Sequence, residues 1–226
     1  GWIPLEDDVT ALEPVAPPTQ KAIFGYGTTG SNVSLTNLVS SSGVVAADVT
    51  GVGTARSLLA AAGYGGDKAI FGYGNSGSRV SISNLVNNSG VVAADVTGVG
   101  TARDELAAAT YGTDKAIFGY GNTGSSSSLT NLVSNSGVVA ADTTGVGTAR
   151  WSLAATGYGT DKAIFGYGYD GSSRVSMTNL VNSSGVVATD VSGVGTARNA
   201  LAAASYGGDK AIFAYGTTDS ANVSIS

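Results

Sequence analysis

A four-residue phrase, Lys-Ala-Ile-Phe (KAIF), occurs five times in this chain at almost constant spacing. Its lysines are Lys21, Lys68, Lys115, Lys162 and Lys210, so the spacings are 47, 47, 47 and 48 residues. Self-similarity at a fixed period of this length indicates an array of equal supersecondary units. It also means that most side chains occur several times, whereas a catalytic residue is usually unique.

The composition argues against several classes of protein. The chain has 226 residues, of which 42% are hydrophobic and only 12% charged, so it has enough apolar residues for a buried core and does not have a disordered composition. Its net charge of −5 argues against nucleic acid or an anionic membrane as a partner. No apolar run approaches the roughly 18 residues that span a bilayer, so we expect no membrane insertion.

The chain contains neither cysteine nor histidine. This excludes disulfides, Ser-His-Asp and Cys-His catalysis, and metal sites with thiolate or imidazole ligands. We therefore predict no catalytic residue, no metal and no cofactor. The first residues, GWIPLEDDV, lack the features of a signal peptide, and a start at Gly1 without Met is expected of a processed chain or a fragment.

The second repeat shows how one unit is predicted to fold. Residues 68–74 (KAIFGYG) run into a turn and indicate a strand. Residues 80–86 begin with apolar residues alternating with serine, typical of a half-buried strand, and residues 91–94 form a third strand. Residues 106–109 are alanine-rich, which favours a helix, but the segment is short and ends in Tyr-Gly. We interpret it as an innermost strand whose small residues suit crowded backbones.

Four strands in a repeat of 47 residues is the pattern of a β-propeller blade. In each unit an apolar strand ends in glycine (IFGYG), a hairpin and a strand follow, and an arginine opens a small-residue strand (TARSLLAAAGYG). This pattern resembles the kelch family over almost the whole chain from Lys21. The chain departs from that family in having Gly-Tyr-Gly for a Gly-Gly doublet, and in replacing the family's typical tryptophan by Val52, Val99, Val146 and Val194. The resemblance implies a propeller but no particular activity.

The inventory of strands indicates how the ring would close. Strands of the KAIF type number five, but those of the Gly-Val-Val-Ala type number four, from Gly43, Gly90, Gly137 and Gly185. The chain ends where a fifth would follow, and residues 1–10 end in the same Asp-Val-Thr as residues 43–50. We predict one all-β domain over residues 1–226: a five-bladed β-propeller of four-stranded antiparallel blades. Residues 1–20 close it, with those near Trp2 completing the blade that begins around Arg198. The alternatives are a β-solenoid or an array cut from a longer protein.

Charged residues recur at fixed places and are predicted to be structural. One arginine opens each inner strand, and one aspartate lies eight residues before it. The arginines are Arg56, Arg103, Arg150 and Arg198, and the aspartates are Asp48, Asp95, Asp142 and Asp190. They would either form a ring of ligand contacts or bridge neighbouring blades by charge-assisted hydrogen bonds, and their occurrence in every unit favours the second interpretation. The loops at these aspartates have one carboxylate each, so calcium is not expected.

Tyrosines form a second recurrent set. Tyr64, Tyr111, Tyr158 and Tyr206 lie in the loops before the KAIF strands. Aromatic rings beside Asn and Asp are typical of sugar-binding sites, although core packing between blades is the alternative and is favoured.

The positions at which the units differ are the better candidates for specific chemistry, because the scaffold does not dictate them. These candidates are Arg79, Asp104, Glu105, Trp151, Tyr169, Asp170 and Arg174. Trp151 stands out, since the other units have Ser, Asp or Asn at its position. It is either an exposed anchor or a cover for a neighbouring blade.

These features favour a non-enzymatic binding or adhesion module, multivalent because similar blades offer similar pockets. We expect a glycan or surface ligand and a location outside the cell or on a virion. High repetition and low charge resemble structural proteins of bacteriophage particles, such as tail fibres. The alternative is a purely structural component whose partner is a particle or shell protein. A propeller hydrolase or oxidase is a third hypothesis, which the lack of any unrepeated cluster of carboxylates or tyrosines disfavours.

Overall fold

The computed structural model describes residues 20–226, which form thirteen β-strands. These are β1 Gln20–Gly25, β2 Thr36–Ser40, β3 Ala60–Tyr64, β4 Lys68–Gly72, β5 Ser83–Val86, β6 Ala107–Tyr111, β7 Lys115–Gly119, β8 Thr130–Val133, β9 Ala154–Tyr158, β10 Lys162–Tyr169, β11 Arg174–Val181, β12 Ala202–Tyr206 and β13 Lys210–Ala214. Within this part of the chain, no helix has the length and apolar character needed to cross a membrane.

The strands form antiparallel sheets in repeated units that pack side by side. Unit 1 is β1-β2, unit 2 is β3-β4-β5, unit 3 is β6-β7-β8, unit 4 is β9-β10-β11 and unit 5 is β12-β13. In each three-stranded unit the KAIF strand is central. In unit 2, for example, Ile70 of β4 lies opposite Ala62 of β3 on one side and opposite Leu85 of β5 on the other. The predicted all-β array of antiparallel repeats is therefore confirmed.

The alanine-rich segment is a strand, as predicted, but it belongs to the sheet of the KAIF strand that follows it. These strands, β3, β6, β9 and β12, lie beside one another between units. Thr110 Oγ1 donates to the Gly63 carbonyl across this contact (2.9 Å). The Glu105 backbone NH donates to the Leu58 carbonyl of the preceding unit (2.9 Å), and the same bond recurs at the next two junctions. Small side chains allow this close approach of the backbones.

The segment predicted as a third strand makes only isolated bridges, such as Val86 with Val92. Beside that bridge the Asn84 side chain donates from Nδ2 to the Ala93 carbonyl (3.0 Å). The side-chain amide of Asn84 thus donates to a carbonyl that would accept from a backbone NH in a regular strand pair. In the described residues, each complete unit has three strands and a bridged outer segment, where four strands were predicted.

Successive units pack by placing a phenylalanine against a glycine. The Phe118 ring of unit 3 lies over Gly72 of unit 2 and meets Tyr73 edge-on, with 5.2 Å between ring centroids. A Cβ at Gly72 would lie 2.6 Å from Phe118 Cζ, so a larger residue would force a shift. The same contact recurs for Phe71 on Gly25, Phe165 on Gly119 and Phe213 on Gly166.

The two end faces of the array are exposed in the described part of the chain. Phe24 of unit 1 is 62% exposed, whereas Phe118 is 0% exposed, and Tyr215 of unit 5 is 61% exposed. Closure of the described sheets into a propeller is therefore not detected. The segment predicted to close the ring, including Trp2, lies outside the described residues.

Candidate functional site

The repeated arginines lie in the interior, where hydrogen bonds hold them. Buried Arg103 donates from Nε to the Tyr120 carbonyl (2.8 Å) and from Nη1 to the Thr101 carbonyl (3.1 Å). Its Nη2 donates to Asn131 Oδ1 (2.6 Å) on β8. The guanidinium also lies 4.2 Å from the ring centroid of Tyr73 in the preceding unit, which links the two units. The same arrangement is found at Arg56 and Arg150.

Each of these arginines pairs with an aspartate farther along the chain, in its own unit, and not with the one eight residues before it. Asp142 Oδ1 lies 3.8 Å from Arg103 Nη1. Asp142 also accepts from the Thr101 hydroxyl (2.6 Å) and from Asn131 Nδ2 (2.9 Å). Burial opposes ionisation of Asp142, but these hydrogen bonds and Arg103 outweigh it and lower the pKa below its usual value. Asp95 and Asp190 have equivalent partners and a lowered pKa.

Units 1 and 5, at the two ends of the array, depart from this arrangement of arginine, asparagine and aspartate. Asp48 accepts from Asn37 Nδ2 (2.8 Å) and, among the described residues, pairs with no arginine. Arg198 stacks on Tyr167 (4.2 Å to the ring centroid), but its buried Nε has no hydrogen-bond partner among residues 20–226. In the complete units the equivalent Nε donates to a tyrosine carbonyl and the equivalent Nη2 to an asparagine of the third strand. The position of that asparagine in unit 5 would follow Ser226.

The four loop tyrosines differ in burial. Tyr64 and Tyr111 are buried, because Gly137 and Gly185 of the next unit lie against their rings. Tyr158 is half-buried and Tyr206 is exposed. The burial of the first two favours core packing over ligand contact at these positions.

A second set of tyrosines, in the KAIFGY sequence of units 1 to 4, supports the arginines. Tyr120 stacks under Arg150 (4.2 Å from Cζ to the ring centroid), and its hydroxyl donates to the Val146 carbonyl (3.2 Å). Burial raises the pKa of Tyr120 to about 12, although Arg150 opposes this shift. Val146 is one of the valines found where the kelch pattern has tryptophan, and its carbonyl thus has a structural partner.

The remaining repeated charges lie at the surface. Lys115 pairs with Asp114 (3.1 Å) and Lys210 with Asp209 (2.8 Å) in turns, where ion pairs have little energetic value. Within residues 20–226, no three acidic side chains come together in a way that could hold a metal ion.

The residues that differ between units gather along one edge of the array, which we call the rim. In units 2 to 5 the residue after each arginine forms a β-bridge with the hairpin residue that follows the KAIF strand. These pairs are Ser57 with Asn75, Asp104 with Asn122, Trp151 with Tyr169, and Asn199 with Thr217. The rim consists of these pairs and of the hairpin residues next to them, among them Arg79, Ser126, Asp170, Arg174 and Asp219.

Charged residues of the rim are paired across unit boundaries. Arg79 Nε of unit 2 donates to Asp104 Oδ1 beside unit 3 (3.0 Å). Arg174 of unit 4 pairs with Asp219 of unit 5, and its Nε donates to Asn199 Oδ1 (3.0 Å). Three sequence-predicted candidates, Arg79, Asp104 and Arg174, are therefore engaged with neighbouring units.

Glu105, the next candidate along the chain, lies beside the inner strands. Its carboxylate accepts from the Ser152 hydroxyl of the next unit, and its backbone joins the hydrogen bonds that link successive units. This placement indicates a structural role.

An open cleft of about 530 Å³ lies on the rim at Trp151. The rings of Trp151 and Tyr169 meet edge to face, with 5.1 Å between their centroids. Asn122, Ser126 and Asp170 line the cleft with the two hairpins that carry them. Ser126 Oγ donates to the Asp170 carbonyl across the junction (2.8 Å). The cleft thus combines an aromatic wall with short polar side chains.

Part of this cleft was predicted from the sequence. Trp151, Tyr169 and Asp170 were among the candidates, but Asn122 and Ser126 were missed, because the hairpins of several units have Asn or Ser at similar places. Their position in the sequence could have identified them, because each lies in the hairpin that precedes Trp151 in the chain.

No family model matches the chain, and no curated protein matches it. The likeness to kelch repeats thus rests on the repeat pattern, and no family is assigned.

Proposed function

We propose that the array closes into a five-bladed β-propeller. The end faces support this, because Phe24 on one and Tyr215 on the other are the two halves of a further junction of the kind seen between units. Within the described residues the KAIF strand of unit 5, β13, pairs only with β12, so one of its edges is open to a strand.

Residues near Trp2 would complete unit 5 in this proposal. Among residues 20–226 the buried Arg198 Nε has no acceptor, and residues 1–10 contain three carboxylates, Glu6, Asp7 and Asp8. A carboxylate brought to Arg198 would give this Nε the acceptor that a tyrosine backbone carbonyl supplies to the other arginines.

We propose that the protein is a non-enzymatic recognition module that binds carbohydrate through its rim. The observation that carries this proposal is the gathering of the non-repeated residues on one rim, with an aromatic and polar cleft at Trp151. Loops held by a rigid scaffold are where proteins place binding residues, since the scaffold tolerates change there. A surface ligand of this kind suits a protein outside the cell or on a virus particle.

The units do not offer several copies of one binding site, as the expected multivalency would require. The rim contacts differ from junction to junction: an Arg79–Asp104 pair, the Trp151 cleft, and an Arg174–Asp219 pair. The rim therefore offers several different surfaces on one chain, and several copies on a particle would supply the avidity.

A glycan array tests this proposal. We expect wild-type protein to bind a subset of glycans and Trp151→Ser to lose that binding, because serine occurs naturally at the equivalent Ser57. Val138→Ser is the matched control, since Val138 is exposed on the outer segment away from the rim pairs, and it should bind as wild type.

A purely structural role is the second candidate, favoured by the many inter-unit bonds among rim residues. Absence of binding to every glycan, together with tight association with a particle or shell protein, would support it and overturn the carbohydrate proposal. Turnover of generic ester, phosphate or glycoside substrates would contradict the non-enzymatic assignment.

A further inference from the structure

The junction between units 3 and 4 differs from the one before it at two bridging positions, where Trp151 and Ser126 take the places of Asp104 and Arg79. At the earlier junction Asp104 accepts from the Asn75 amide (Nδ2 to Oδ2, 2.9 Å). One unit later the equivalent residues are Trp151 and Asn122, and an indole ring offers no such acceptor. Asn122 Oδ1 accepts from the Gly124 backbone NH (2.8 Å), which orients the amide and leaves its NH₂ group as a donor in the cleft.

Trp151 also provides a flat apolar surface in the same cleft. Its ring is held edge to face by Tyr169 at 5.1 Å, and both side chains remain partly exposed. A pyranose ring has apolar C–H faces and hydroxyls around its edge, so an aromatic face beside an amide donor matches its chemistry.

The charges in the cleft select against acidic sugars. The residues that line it include no lysine or arginine. Its carboxylate, Asp170, accepts from the backbone NH groups of Ser172 (2.7 Å) and Ser173 (2.8 Å), and these bonds keep its pKa below the usual value. A uronate or sulfated sugar would meet this negative charge with no cation to offset it.

The flanking junctions are occupied by the protein's own side chains. Asp104 fills the place of Trp151 at one of them and is tied to Arg79 and Asn75. At the other, Asn199 occupies that place and accepts from Arg174. Neither arrangement has an aromatic side chain at the place of Trp151.

We infer that the cleft at Trp151 binds one uncharged pyranose ring and that each chain holds a single such site. This inference rests on the proposed carbohydrate-binding function and names the ligand class of that site. Trp151 stacks on the sugar face, the Asn122 amide donates to a ring hydroxyl, and the charge of Asp170 excludes anionic sugars.

Calorimetric titration of the full chain with methyl pyranosides, and with the matching glucuronide, tests the inference. We expect Trp151→Ser and Asn122→Ala each to weaken methyl pyranoside binding by roughly tenfold or more, as the loss of one stacking or hydrogen-bond contact implies. Asn75→Ala is the matched control, because that amide is already paired with Asp104, and it should bind as wild type. Native mass spectrometry should count one sugar per chain, and circular dichroism confirms that each variant folds.

The possible failures are distinguishable. Equal affinity for the glucuronide, several sugars per chain, or equal loss in Asn75→Ala and Asn122→Ala would overturn the inference. Array binding that neither Trp151→Ser nor Asn122→Ala reduces would overturn it while leaving carbohydrate recognition in place. If no glycan binds at all, the proposed function itself fails.

Discussion

In units 1 to 4 the glycine that follows KAIF makes room for a side chain of the next unit. At Gly119 a Cβ would lie 2.6 Å from Phe165 Cζ, closer than packed carbon atoms approach. Gly119 lies in a strand, where glycine ordinarily weakens the structure. Its value is therefore steric: it allows an aromatic ring to pack directly on the backbone.

A pair of glycine substitutions tests this steric role. Gly119→Ala should lower the free energy of unfolding by about 1–3 kcal/mol, because Phe165 must shift to accommodate the methyl group. Gly157→Ala is the control, since its nearest neighbour lies 3.5 Å from an added Cβ, and it should be neutral or stabilising by up to about 1 kcal/mol. Chemical denaturation measures both. Equal destabilisation by the two substitutions would show that steric contact with Phe165 is not the cause.

The strands show which features a periodic sequence can predict. The KAIF strand and the alanine-rich strand were predicted from their local composition, and β4 and β6 confirm them. The sequence did not predict that the alanine-rich strand belongs to the sheet of the KAIF strand that follows it. In a repeating sequence this strand lies between two KAIF strands, and the period alone does not show with which of them it pairs. The outer segment was predicted as a strand from its valines, yet the Asn84 side chain takes up one of its carbonyls.

Part of the cleft also escaped prediction for a physical reason. Trp151 and Tyr169 differ visibly from their counterparts in other units, so comparison of the repeats finds them. Asn122 has the same side chain as Asn75, and what differs is its partner, which becomes visible only when the hydrogen bonds are known.

The carboxylates that join the outer segments to the third strands make stability dependent on pH. Hydrogen bonds lower the pKa of Asp95, Asp142 and Asp190 in the folded protein, despite their partial burial. Their contribution is therefore complete above the ordinary pKa of about 3.8 and is lost as pH falls through the lower folded-state values.

Unfolding measured between pH 7 and pH 2 checks this dependence. We expect stability to fall most steeply below about pH 4, by at most about 1.4 kcal/mol per pH unit for each carboxylate. Asp142→Asn should be less stable than wild type at neutral pH and should lose less stability on acidification. Identical acid profiles for the two proteins would contradict the role given to Asp142.

Across the whole molecule, stability is expected to be a sum of unit and junction terms, as in other repeat proteins. Each junction repeats the contact of phenylalanine, glycine and tyrosine, and ring closure would add one more between Phe24 and the face of unit 5. That face differs at one atom: Ala214 stands where the units before it have glycine, and its methyl would meet an incoming phenylalanine.

Two phenylalanine substitutions separate a closed ring from an open array. Phe118→Ala should cost about 3–5 kcal/mol in either case, because that side chain is fully buried. A closed ring predicts that Phe24→Ala costs at least about 2 kcal/mol and that Ala214→Gly is stabilising, since it removes the clash. A cost for Phe24→Ala within about 0.5 kcal/mol would show that the exposed face stays uncovered and would refute closure.

We propose that the residues that repeat form the scaffold and that those that do not repeat carry recognition. Backbone amide NMR of the labelled full chain, titrated with the glycan that binds best on the array, tests this division directly. We predict shift changes concentrated at Trp151, in residues 122–126 and in residues 169–172, with the inner strands and outer segments unchanged. Shifts centred on repeated residues, such as the alanine-rich strands or the outer valines, would contradict it.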